Sequence, residues 1–150
     1  MGAFLVALVA LVTLLSSVPA TAADLVISAT IAKKAELQTL ARPAVLEITA
    51  TDVERGYIEV PSSAQFTVRS NSPSGYLLVF DTRGDFISGT QVSGLNRAVQ
   101  LSSAGGSVAQ PSTSRGYAPG SLDLGFRFML SPSARAGVHA WPLQVSVAPL

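Results

Sequence analysis

LDLGFRFML, residues 122–130, sets the terms on which the rest of the chain is read. Leu122, Leu124, Phe126, Phe128 and Leu130 share one parity, while Asp123 and Arg127 take the other. Successive side chains of an extended strand point to opposite faces, so this period of two lays a row of large apolar groups on one side of a sheet. The same period continues outward. VLEITATD (45–52) sets Leu46, Ile48 and Ala50 against Glu47, Thr49 and Thr51, and AQFTVRS (64–70) sets Phe66 and Val68 against Thr67 and Arg69. YLLVFDT (76–82) is apolar on both faces, as a central strand is. DLVISATIA (24–32), GYIEV (56–60), FISGTQV (86–92) and RAVQLS (97–102) add further runs. On the far side, SPSARAG turns into GVHAWPLQVSVAPL (137–150), where Trp141, Leu143, Val145 and Val147 are in step. No stretch carries sustained helical periodicity. KKAELQTLA (33–41) offers one or two helical turns, or a plain connection.

Short apolar runs separated by Gly, Pro, Ser and Asn turns predict an all-β fold, an immunoglobulin-like antiparallel β-sandwich of about seven to nine strands. The expected core is Phe66, Val68, Leu78, Phe80, Phe126, Phe128, Trp141, Leu143 and Val145. On that expectation Trp141→Ala costs about 3–5 kcal/mol. AGGSVAQPSTSRGYAPGS (104–121), polar and rich in turn residues, is expected to be a mobile loop at one end.

Residues 3–15, AFLVALVALVTLL, form an uncharged apolar run followed by SSVPATAA. The run is shorter than the roughly 20 residues a membrane-spanning helix needs. Small residues at Ala20 and Ala22 suit a peptidase site, so residues 1–22 are expected to be a cleavable signal and 23–150 a single β-sandwich domain. The protein is then exported, to the periplasm, the cell surface or the medium, with no membrane span after cleavage. There is no cysteine, which removes thiolate metal sites and cysteine nucleophiles and leaves stability to burial and main-chain pairing. Ten Lys and Arg against nine Asp and Glu give a formal charge of +1. That balance, with basic residues scattered singly apart from Lys33-Lys34, argues against nucleic acid as a partner.

Catalytic chemistry finds little to work with. A Ser-His-Asp triad needs a base held by a carboxylate beside a nucleophile, and the single histidine, His139, has neither nearby in sequence. One histidine and no cysteine make a poor zinc ligand set. Asp52, Glu54 and Glu59 cluster around TDVERG, but no EF-hand calcium pattern runs through them. The simpler reading is a solvated turn with Arg55 paired to one carboxylate. Arg83-Gly84-Asp85 resembles integrin-binding tripeptides and is equally ordinary turn chemistry. Tyr117, with Arg115 nearby, is an aromatic that could meet a sugar or a partner. No catalytic residue, cofactor or metal ligand is therefore assigned, and the protein is expected not to be an enzyme.

The last fourteen residues do carry a pattern. Counted back from Leu150, Gly137 is fourteenth, Leu143 eighth, Val145 sixth and Val147 fourth. This spacing resembles the carboxy-terminal motif of bacterial chaperone–usher pilus (fimbrial) subunits, whose final strand pairs with a periplasmic chaperone. Pro149 stands where the family has an aromatic penultimate residue, and Pro142 removes a main-chain donor inside the strand. The resemblance implies assembly by strand addition, with an amino-terminal extension of one subunit completing the sandwich of the next. Leu25, Ile27, Ala29 and Ile31 could serve as that extension, or form the first strand of their own domain. The candidate partner-strand residues are therefore Leu25, Ile27, Ala29, Ile31, Gly137, Leu143, Val145 and Val147. The function implied is that of a non-catalytic structural or adhesive protein, a pilin-like subunit binding a chaperone or other subunits by strand pairing. The alternative is a self-contained monomeric immunoglobulin-like binding module.

Overall fold

The computed structural model describes residues 28–112 and 117–150. The expected signal, residues 1–22, lies outside them. Residues 32–150 form one compact unit.

Among the described residues this unit holds ten strands and one short helix: β1 (Ala35–Ala41), β2 (Val45–Ile48), α1 (Ala50–Arg55), β3 (Tyr57–Ser70), β4 (Tyr76–Thr82), β5 (Ile87–Ser93), β6 (Val99–Leu101), β7 (Gly105–Gln110), β8 (Pro119–Leu130), β9 (Gly137–Ala140) and β10 (Leu143–Pro149). Every pairing between them is antiparallel. One sheet has the order β1-β3-β8-β5-β6, a second β10-β4-β7, and β2 pairs with β9 in a two-stranded ribbon. The all-β sandwich is as the alternation predicts, with ten strands rather than seven to nine.

The core lies between the two larger sheets. Phe66, Val68, Leu78, Phe80, Leu124, Phe126, Phe128 and Leu143 are all buried, and Leu78, Leu124 and Phe128 have no exposed surface at all. Seven of the nine expected core residues are among the buried set; Trp141 and Val145 are only partly covered. Phe126 and Phe128, two apart on β8, stack at 5.8 Å. Trp141 meets both rings edge-on, at 5.8 and 5.4 Å, a geometry favoured by the ring quadrupoles.

Several expectations are corrected. KKAELQTLA is neither helix nor connection: residues 35–41 are strand β1, paired along β3 from Ala35↔Ser70 to Ala41↔Gln65. Residues 28–32 of DLVISATIA are not strand. VLEITATD stops being a strand at Ile48, because Thr49 caps a helix whose third residue, Asp52, returns the bond. GYIEV and AQFTVRS are one strand, β3, broken only by a bulge between Val60 and Ala64. Pro61 lacks an N–H there and Ser62 takes φ 43, so the ladder is interrupted where the backbone cannot pair. The expected loop 104–121 holds β7 and the start of β8. The final segment is two strands. Pro142 is fully buried between them, so β9 pairs with β2 and β10 crosses to pair with β4.

Candidate functional site

The sheet orders locate an incomplete edge. An immunoglobulin sandwich places strands A, B, E and D in one sheet and C, F and G in the other. In order across the sheet, β1, β3, β8 and β5 take the A-B-E-D positions, while β4 and β10 take C and F. The G position, beside β10, has no strand: among the described residues β10 pairs with β4 alone. An edge of this kind presents unpaired N–H and C=O groups to any extended segment that reaches it.

A groove opens at the Leu143–Val145 end of that strand. Leu143, Val145 and Val147 share the inner parity of β10; Leu143 is buried, while the other two are partly exposed. The groove has a cavity volume of about 630 Å3. Its floor is made of Ala64, Phe66 and Phe126 from the core, with Trp141, Leu143 and Val145 along one wall and Thr39 of β1 opposite. Arg42, Arg83 and Gln144 form a polar rim. Phe66 and Phe126 are each only 3% exposed, so the cleft borders a core that is already covered, and its accessible lining is the partly exposed Trp141 and Val145 with the polar rim.

The rim is built by local bonds. The Arg83 amide donates to the Pro142 carbonyl at 2.6 Å, and its guanidinium donates to the Gln144 side-chain oxygen on β10. Trp141 N–H donates to the Ala44 carbonyl at 3.1 Å, which ties the β1–β2 link to the same corner. The opposite end of β10 is closed by Leu150 N–H donating to Gly75 O at 3.2 Å and by Ser72 Oγ donating to Leu150 O.

The partner-strand candidates separate into two groups. Leu143 and Val145 line the groove, and Val147 shares their face of β10 beyond its end. Gly137 opens β9 opposite Ile48, at φ 145, a backbone geometry that glycine adopts readily and other residues rarely do. It is exposed and does not line the groove. Ala29 and Ile31 are exposed and outside any strand, Ile31 at 83%. Leu25 and Ile27 lie outside the described residues. The groove's other walls, Thr39, Ala64 and Arg42, were invisible in the sequence, because only the packing of β1 and β3 against β10 makes them neighbours.

The remaining candidates lie away from the groove or at its rim, each with partners among the described residues. His139 stacks on Phe86 at 4.6 Å, and its Nε2 donates to the Arg135 carbonyl at 2.9 Å. Asp52 is buried, accepts from the Thr49 hydroxyl at 2.6 Å and the Thr49 amide at 3.0 Å, and pairs with Arg55. Those bonds, with the Thr49 hydroxyl the largest influence, hold its carboxyl below the usual range. The expected solvated turn is thus a capped helix. Glu59 pairs with Arg127 across β3 and β8, and Tyr57 lies between the guanidiniums of Arg55 and Arg127 at 4.9 and 5.0 Å. Arg83-Gly84-Asp85 is bound into the rim: beyond the Arg83 bonds, the Asp85 carbonyl accepts from Ser131 and Ser133 at 2.8 and 3.2 Å. Tyr117 donates to Glu36 at 2.6 Å, next to the Lys34–Glu36 pair; Arg115 lies outside the described residues. Among the described residues no three His, Asp or Glu side chains gather as metal ligands, and no helix is long and apolar enough to cross a membrane. Comparison with protein-family models, curated proteins and solved structures returned no match.

Proposed function

We propose that this protein is a non-catalytic, exported structural subunit that assembles by β-strand addition, in the manner of a pilin. The observation that carries this reading is the cleft beside β10, which has Trp141 and Val145 in its wall and polar side chains at its rim and borders a strand with an unpaired edge. An extended segment laid along that edge gains main-chain hydrogen bonds from β10 and buries alternate side chains against the partly exposed Trp141 and Val145. The segment with a matching pattern is Leu25, Ile27, Ala29 and Ile31 of a second copy. Support for its availability comes from residues 28–32, which belong to no strand of their own domain. A periplasmic chaperone offering an alternating apolar strand would fit the same edge before assembly.

The test is the oligomeric state of the chain beginning at Ala23. Light scattering is expected to find assemblies whose size grows with concentration. Ile27→Asp, which puts a charge into the inserted strand, should return monomers with unchanged far-ultraviolet circular dichroism. A monodisperse monomer across the accessible concentration range would favour the self-contained binding module instead.

A further inference from the structure

The strand-addition reading raises a question of direction: the segment that could fill a neighbour's groove is also attached to a chain with a groove of its own. We infer that Asn71, in the turn between β3 and β4, decides this by holding the base of the segment so that it serves another copy. The inference rests on the strand-addition reading and adds to it a residue that controls where the strand goes.

Three hydrogen bonds make the hold. Asn71 Oδ1 accepts from the Lys34 amide at 2.6 Å, and its Nδ2 donates to the Ala32 carbonyl at 2.9 Å. The Asn71 amide donates to the Lys34 carbonyl at 3.1 Å. Acceptor and donor ends of the side-chain amide thus both engage the main chain of residues 32–34. They extend the β1–β3 pairing beyond Ala35↔Ser70, at the end of β1 remote from the groove. The groove is lined by Thr39 and Arg42, at the other end of the same strand. Lys34 and Thr39 are about 16 Å apart along an extended strand.

To enter its own groove the segment must reverse direction, and a tight reversal takes about 2–5 residues. With residues 32–34 tied to Asn71, that reversal falls on residues 28–31. Only Leu25 and Ile27 then remain to fill the cleft, and Ala29 and Ile31 are spent in the turn. A second copy has no such restriction and receives all four side chains. Releasing residues 32–34 would let Lys33 and Lys34 make the turn and return Ala29 and Ile31 to the strand. Asn71 is therefore a positioning residue: it touches no part of the groove and acts by making self-filling the poorer option.

The absence of cysteine allows a direct assay. Ile27→Cys and Val145→Cys are introduced together into the chain beginning at Ala23, refolded under mild oxidation and resolved on a non-reducing gel. With Asn71 in place the product should be an intermolecular ladder. With Asn71→Ala the intramolecular disulfide should rise on the order of tenfold, as expected from losing two ordinary hydrogen bonds. Asn71→Asp, which keeps the acceptor for Lys34 and loses the donor to Ala32, should fall between and guards against a general folding defect. Equal ladders from all three would overturn the role of Asn71 and leave strand addition standing. No cross-link in any, or a mainly intramolecular product with Asn71 in place, would overturn strand exchange between copies itself.

Discussion

Asp52 shows how much of this structure depends on single polar side chains. Its carboxylate closes the helix cap by accepting from both the hydroxyl and the amide of Thr49. A carboxyl whose folded pKa is depressed adds stability above its unfolded value, near 3.9, and that contribution is lost as pH falls through the folded value. Asp52→Asn should therefore flatten the loss of stability below about pH 4, measured by urea midpoints at stepped pH. Thr49→Ala, which removes the cap itself, should cost about 0.5–2 kcal/mol at neutral pH. The cap was partly legible: Thr49-x-x-Asp52 resembles a capping box, but the alternation of Leu46, Ile48 and Ala50 runs straight through it and outweighs it in a linear reading. Trp141 makes the reverse point. Its parity correctly puts it with Leu143 against the core, yet one side of the ring faces the groove and stays partly exposed. Trp141→Ala should accordingly cost about 2–3 kcal/mol, below the roughly 3–5 of a fully buried ring, as read from a denaturation midpoint.

Among the elements, β8 and the 64–70 part of β3 were legible because buried alternation has one physical explanation, a sheet with a core face, and β4 was legible as a central run apolar on both faces; that 56–60 and 64–70 form one strand was not. Short edge pieces were not. β7, GGSVAQ, has no large apolar side chain except Val108, and its place beside β4 depends on a tight approach. Gly105 sits at φ 104, and a Cβ there would lie 1.9 Å from the Phe80 carbonyl oxygen. Gly105→Ala should cost on the order of 2 kcal/mol or more and loosen β7 first, seen as loss of amide protection over residues 105–110. The split of the last strand has a sequence signal, Pro142, whose missing donor rules out an uninterrupted ladder. What the sequence could not convey is that the break lets β10 change sheets. Val145→Asp tests the use of that strand. It should leave the fold in place, because Val145 borders the groove and is only partly covered, while abolishing self-association in light scattering.

At the scale of the molecule, residues 32–150 bury a continuous apolar core with no disulfide, and the cleft beside β10 lies next to that core with Trp141 and Val145 in its wall. The fold class was visible in the chain because alternation and turn residues repeat along its whole length. The cleft was not, because it is a property of which strand lies beside which. Trp141 is the chain's sole tryptophan and lines the cleft, so its fluorescence reports on that site without a label. The decisive measurement is acrylamide quenching of Trp141 in the chain beginning at Ala23, refolded at low and at high concentration. Strand addition between copies predicts that the quenching constant falls as concentration rises, with a blue shift in emission as the ring is covered. Ile27→Asp should abolish both changes. Identical quenching at every concentration, in a protein that stays monomeric, would contradict the account.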